Sequence, residues 1–268
     1  MSTVNITAQD INKLRQATGA GMMDCRKALT ESAGDFEAAI DWLRKQGQKV
    51  AAKRSDREAK EGVIIAQTSA DNKTGFVVCI SCETDFVSKN AEFVAFAQSI
   101  ADAAVANNVK SAEELNEVLI GGAKVSDMIN DKLASIGEKI GVAKFERVEA
   151  AFVASYIHGA NRMGVLVGLN KEAAEAGRDV AMQIAAMNPL AVDANSIPAD
   201  TIVRERAIII DTMKEDPKMA GKPDEMVAKI AEGKINAFFK ENTLLAQAFV
   251  KDGGISVEAY LKSAGDVV

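Results

Sequence analysis

The sequence predicts an α+β protein, and three observations carry that prediction. Apolar residues recur at helical spacing through the first 47 residues. Paired β-rich runs followed by a helix occur twice, around 62–105 and again around 150–187. From 198 to 241, two helical segments with narrow apolar stripes flank a polar break, as in an antiparallel arm that buries one seam. At 268 residues, 48% hydrophobic and 26% charged, the chain has material for two or more compact units with separate cores.

Thr7 is placed to cap a first helix with Ile11 and Leu14 on its apolar face, and Gly19 stands where a left-handed C-terminal residue belongs. Met22, Met23, Cys25, Ala28 and Leu29 form a second helix closed by Gly34. Asp35 caps a third, in which Phe36, Ala39, Ile40 and Leu43 recur before Gly47. A unit spanning 1–47 buries little apolar surface, so it leans on a neighbour or serves as a docking knob. Residues 48–61 lack large apolar side chains apart from Val50 and read as a solvated, partly helical linker.

In the next unit, 62–148, β-rich runs at 62–68 and 75–82 are joined through the turn pair Asp71-Asn72, and a helix follows near 90–105. Residues 111–139 look helical, with Ser111-Ala112-Glu113-Glu114 as a capping box. A second unit, 149–197 together with 242–268, repeats the plan. Its runs at 150–158 and 164–170 are joined by Gly159-Ala160-Asn161-Arg162, and its helix at 172–187 stops before Asn188-Pro189. The arm, 198–241, carries Ile202, Ile209 and Met213 on one side of the break at 214–223 and Met226, Ile230, Ile235 and Phe238 on the other. A short helix is expected at 256–263, before Asp266-Val267-Val268, which read like the opening of an unfinished strand.

Charge and cysteine usage narrow the function. A net charge of −6 and a pI of about 5.1 disfavour a broad grip on phosphate backbones, and three acids among the basic residues of 48–61 argue against a local nucleic-acid patch. Met1 to Asn5 offer neither a basic nor an apolar leader segment, and no apolar run approaches the roughly 18 residues of a membrane span. Cys25, Cys79 and Cys82 make an odd, poor disulfide framework, so a reducing cytoplasm is expected.

No catalytic site, cofactor or metal site is expected. Cys79-Ile80-Ser81-Cys82 lies in a β-rich run where alternation sends the two thiols to opposite faces, unlike a redox pair at a helix N-terminus. A zinc site would need two further ligands, and only Cys25 and the single His158 remain. His158 has no nucleophile or carboxylate at a diagnostic spacing and reads as a turn histidine before Gly159. No phosphate-binding glycine loop is present, the pairs Gly121-Gly122 and Gly253-Gly254 being isolated.

Two features point instead to docking on a partner. Met22 and Met23 follow a tight Gly19-Ala20-Gly21 bend and serve either the core or an adaptable outward surface. Thr84-Asp85-Phe86-Val87 admits two registers. With Asp85 as the N-cap, Phe86 joins the apolar face of Phe93, Ala97, Ile100 and Ala104; with Ser88 or Asn90 as the cap, Phe86 projects from an exposed turn. Periodicity favours the buried register.

Several of these segments together resemble a known family. Cys82-Glu83-Thr84-Asp85-Phe86-Val87-Ser88-Lys89 resembles the signature of bacterial elongation factor Ts, as do 14–29, 155–167, 181–189 and 244–250, in the same order along the chain. The resemblance implies a three-helix, ubiquitin-associated-like N-terminal domain, a core of two α+β subdomains and a protruding helical arm. It also implies guanine-nucleotide exchange on elongation factor Tu, bound in its GDP and nucleotide-free forms, with no direct binding of nucleotide, nucleic acid or membrane. By the same resemblance Thr84, Asp85, Phe86 and Val87 form the exchange wedge and Arg15, Met22 and Met23 hold the partner's GTPase domain. His158 and Gln183 would contact a different partner domain. Many relatives carry histidine where this chain has Gln183, and some continue past Val268 into a further strand and a helical module. A ubiquitin-type adaptor is the rival reading; it accounts for the three helices and leaves the rest of the chain unexplained.

Overall fold

Thr7 opens the first helix with a reciprocal cap: its hydroxyl accepts from the Asp10 amide while the Asp10 carboxylate accepts from the Thr7 amide at 3.0 Å. That helix, α1 (Ala8–Thr18), ends at Gly19 with φ 69°, a left-handed conformation a Cβ would disfavour. α2 (Met22–Glu31) follows, and the Asp35 carboxylate then accepts from the Ala38 amide at 2.8 Å to start α3 (Phe36–Lys53). Leu14, Cys25, Ala28, Leu29 and Ala39 form the core of the three helices. The computed structural model describes residues 6–54, 56–216 and 222–268, so 1–5, Ser55 in the expected linker, and 217–221 in the expected polar break lie outside the described residues.

The third helix does not end at Gly47. It continues to Lys53, through much of what reads in sequence as a linker. The reason is packing: α3 lies along α7 (Val125–Ile136), and a Cβ at Gly47 would stand 3.0 Å from the Ala134 Cβ and 3.3 Å from the Asn130 carbonyl oxygen. Gly47 thus permits close approach rather than termination. Ser135 Oγ donates to the Gly19 carbonyl at 2.5 Å, and Arg44 Nε lies 3.9 Å from Asp131 Oδ2 along the same seam.

β1 (Glu61–Thr68) and β2 (Thr74–Cys82) pair antiparallel, with Val63 opposite Ile80 and Ile65 opposite Val78. Alternation puts Val63, Ile65, Phe76, Val78, Ile80 and Cys82 on one face, where Phe93, Ala97, Ile100 and Ala104 of α5 (Ala91–Ala106) cover them. β5 (Gly141–Glu149) completes a three-stranded sheet by pairing with β2 across an irregularity at Cys79 and Ile80. No expectation covered this strand.

The stretch 111–139 is not one helical segment. α6 (Ala112–Glu117) stops at an extended Val118, and a hairpin of β3 (Leu119–Ile120) and β4 (Ala123–Lys124) intervenes before α7. Gly121 and Gly122 turn it with φ of 61° and 88°, so this pair is a working turn. Only half of the capping box forms: Ser111 Oγ accepts from Glu114 N, while Glu114 accepts from Lys110 N.

The chain divides into two compact units, Met1–Glu149 with Ile157–Leu166, and Ala150–Tyr156 with Val167–Val268. The hairpin of β6 (Phe152–His158) and β7 (Met163–Leu169) therefore contributes its tip to the first unit and its base to the second. In the second unit α8 (Ala174–Met187) lies on that base. A Cβ on Gly177 would come within 2.6 Å of the Ala154 Cβ, so only glycine allows this approach. α8 ends at a left-handed Asn188.

α9 (Ala199–Glu215) and α10 (Asp224–Asn242) pack on each other through Met213, Ala231 and Ile235. Met226, expected in the stripe, is 52% exposed because it falls in the first turn of α10 and faces out. After α10 come the short pair β8 (Ala248–Phe249) and β9 (Asp252–Ser256), then α11 (Val257–Ser263) capped by Ser256. Val267 is buried and the Val268 carbonyl accepts from Asn170 N at 2.9 Å. The architecture is α+β, as the sequence predicts.

Candidate functional site

β2 delivers Cys82 into the core, and the chain turns outward immediately after it. Asn90 Oδ1 accepts from the Glu92 and Phe93 amides and so caps α5, which fixes the register. Ahead of that cap, Asp85–Ser88 form a single four-residue turn, α4, with Thr84 at its N-cap. Phe86 on this turn is 84% exposed, whereas Phe93 is 1% exposed. The buried register that periodicity favours is overturned. Val87 packs on the core and Ser88 is buried, and they tether the turn from beneath.

Two carboxylates pin the segment from the side. Glu138 accepts from the Glu83 and Thr84 amides at 3.0 Å each and from Thr84 Oγ1 at 2.6 Å. Glu83 in turn accepts from the Lys139 amide at 2.6 Å, Arg54 Nη1 at 3.2 Å and Arg57 Nη1 at 3.1 Å. The Lys139 amide, then the two guanidinium groups, hold the Glu83 carboxyl below its ordinary range. Thr84 makes no side-chain cap to α4 because its hydroxyl is committed to Glu138. Arg54, Arg57, Glu83 and Glu138 were absent from the expected site. They lie up to 55 positions apart in pairs that no local spacing signals.

Asp85 beside the aromatic ring pairs with Lys89 at 2.6 Å, one helical turn on. The Lys89 hydrogen bond and charge lower the Asp85 carboxyl, and Arg162 adds to that effect, so Asp85 presents a negative charge. Cys82 Sγ donates to the Thr84 carbonyl at 3.2 Å. Burial, followed by the nearby Glu138 and Glu61, pushes its thiol up to about 11. Burial raises Cys79 as well, and all three cysteines are free. Such thiols stay protonated and unreactive, so the C-x-x-C supplies packing.

Arg15, Met22 and Met23 sit on the helical bundle and all face solvent, the two methionines at 59% and 73% exposure. The outward alternative for these methionines is the one observed. Gly21 caps α2 through backbone alone, and this places Met22 and Met23 on the first turn, above the buried Cys25. His158 is exposed at the end of β6 and groups with the first unit rather than with the second.

Gln183 is not at the surface. It is fully buried, its Nε2 donating to Gln247 Oε1 and the Ala248 carbonyl at 3.1 Å each, and its Oε1 accepting from Val250 N at 2.8 Å. Its amide tethers α8 to the segment after α10, and burial of a polar side chain requires such full pairing. As it stands here, the Gln183 side chain presents no surface to a partner.

The comparisons with known proteins agree with one another. The family model described as Elongation factor TS matches residues 83–268, beginning at the clamped Glu83. Elongation factor Ts of Christiangramia forsetii is 49% identical over 261 residues, covering 96% of this chain and 93% of the relative. The Flavobacterium psychrophilum protein of that name is 48% identical, again over 96% and 93%. That of Amoebophilus asiaticus is 46% identical over 269 residues, covering 98% of this chain and 96% of the relative. With more than half of the chain matched by the family model and relatives this similar along nearly its whole length, the chain belongs to the elongation factor Ts family.

Proposed function

We propose that the protein is a guanine-nucleotide exchange factor of translation elongation: it binds elongation factor Tu carrying GDP, promotes release of GDP, and leaves when GTP binds. The observation that carries this reading is a large aromatic side chain, Phe86, held 84% exposed on a turn whose leading amides, those of Glu83 and Thr84, are clamped by Glu138. An exposed phenylalanine on a fixed base is costly in water and suited to filling a pocket on a partner.

The mechanism is linkage. A wedge that binds the nucleotide-free partner more tightly than the GDP-bound partner must weaken GDP by the same factor. Phe86 contributes apolar area to a pocket that opens only when the partner distorts. Asp85, held ionised beside Lys89, sets a negative charge where a phosphate or a magnesium ligand would otherwise be favoured. No bond is made or broken, so the protein needs no catalytic group.

Arg15, Met22 and Met23 form a second contact surface, where methionines adapt to an irregular partner face. In this reading 1–47 is one docking element, 62–148 carries the wedge, and 149–197 with 242–268 supports the arm at 198–241. The protein acts in the cytoplasm with the translation machinery; among the described residues no helix is long and apolar enough to cross a membrane. The test is the release of fluorescently labelled GDP from purified elongation factor Tu. Acceleration that saturates with protein concentration is expected, and an unchanged release rate refutes the proposal.

A further inference from the structure

The tip of the β6–β7 hairpin is built under constraint. Gly159, Ala160 and Asn161 are successive left-handed residues, with φ of 62°, 53° and 67°. Asparagine and glycine adopt this conformation readily, but alanine does so only against steric resistance. The tip is fastened to β1. Ile64 N donates to the Asn161 carbonyl at 2.8 Å, and Asn161 Nδ2 donates back to the Ile64 carbonyl at 3.0 Å. Gly164 leaves no room for a side chain, since a Cβ there would lie 2.7 Å from Ile64 Cγ2 and 3.1 Å from the Ala66 Cβ. Strain held by such fastening marks a position the fold keeps for a purpose.

The side chain thereby delivered is Arg162. Its Nη2 lies 3.5 Å from Glu61 Oε2, and Glu61 pairs in register with Cys82, from which the chain passes directly into the clamped turn. Arg162 also acts electrostatically on Asp85, the neighbour of Phe86. Asp85 already has Lys89 at 2.6 Å; among the described residues the Arg162 guanidinium has the long ion pair to Glu61, with its side chain 56% exposed. A group with five donors is thus only loosely occupied. A long, exposed ion pair is readily exchanged for a better one.

We infer that Arg162 belongs to the docking surface centred on Phe86, where its guanidinium leaves Glu61 and pairs with a carboxylate of the GTPase partner. The inference rests on the exchange reading and deepens it. A carboxylate is favoured over the nucleotide's phosphate for two reasons. Glu61 and Asp85 flank the guanidinium and repel a multiply charged anion more than a singly charged one. The complex that must be most stable also holds no nucleotide. Glu61 is then an internal stand-in for the partner's group.

The experiment measures affinity for nucleotide-free elongation factor Tu, and labelled-GDP release, as functions of salt, with thermal melts as the check on folding. Arg162→Ala should weaken binding about fivefold and flatten its salt dependence, while melting with the wild type. Glu61→Gln should strengthen binding about twofold, and this gain should vanish in the Arg162→Ala background. A merely structural ion pair predicts the contrary, both single variants melting lower and binding more weakly, and that result overturns the inference. So does a Glu61→Gln gain that persists without Arg162, or an Arg162→Ala loss confined to the GDP-bound partner, which would assign the contact to phosphate. If the wild type accelerates release and Arg162→Ala matches it in affinity, this inference alone falls; if the wild type does not accelerate release, the exchange reading falls first.

Discussion

Replacing Phe86 by alanine separates docking from folding. The ring is 84% exposed and contributes almost nothing to the core, so global stability should change by no more than about 0.5 kcal/mol. Phe93 stands seven residues on at 1% exposure, and truncating it should cost about 3–5 kcal/mol. A buried aromatic anchor at an interface is worth about 2–4 kcal/mol, or roughly 30- to 700-fold in affinity. Labelled-GDP release by elongation factor Tu, measured across factor concentration, should therefore show Phe86→Ala impaired by at least about 30-fold in exchange efficiency while its urea midpoint stays at the wild-type value. Two results refute the reasoning. Full exchange activity removes the wedge from Phe86, and a large drop in midpoint shows that the ring is packed in the folded protein.

Three further outcomes are expected. Glu138→Ala strips the acceptor from two amides and a hydroxyl, and it should cost about 1.5–3 kcal/mol in urea melts and slow exchange although Phe86 is intact. The lowered Glu83 carboxyl gives a sign in acid: its stabilisation is complete above the usual glutamate value of 4.5 and lost as pH falls through the depressed folded value. Stability curves of wild type and Glu83→Gln should accordingly converge at the acid end, and parallel curves would show that the clamp does not titrate. Gly47→Leu tests the α3–α7 seam by its sign. Leucine would stabilise a solvated helix by about 0.8 kcal/mol, but with Ala134 only 3.0 Å from the added Cβ it should destabilise by about 1–3 kcal/mol.

The parts of this molecule legible in sequence are those governed by neighbours along the chain. Thr7 and Asp35 are caps read from residue type and the apolar periodicity that follows, and both form as expected, whereas Asn90 caps α5 although periodicity favours Asp85. The features without a local signal depend on distant segments. Gly47 carries the local signature of a helix end, and nothing nearby in sequence announces that Ala134 requires a bare Cα there. β5 carries no clear local signal because it is partly solvated and interrupts its apolar residues with Lys144, Glu146 and Arg147. Gln183 looks like a polar surface residue of a helix until its partners at 247, 248 and 250 are known. Within the site, residue type and order single out the motif 84–87, while apolar periodicity points Phe86 to the wrong side. The deciding events were the Asn90 cap and the grip of Glu138, and only the first has a local signal.

The reciprocal grip of Glu83 and Glu138 has a thermodynamic consequence for association. Fixing a backbone residue costs about 1–2 kcal/mol in conformational entropy, and a loose four-residue motif would surrender several times that amount on meeting a partner. Here the loss has already been taken during folding, because the amides of Glu83 and Thr84 are tied down in the free chain. The knob then arrives rigid, and the free energy of contact is left to deform the partner. Clamp variants should on this account bind with a more unfavourable entropy while forming the same final contacts, a difference that isothermal calorimetry reads directly.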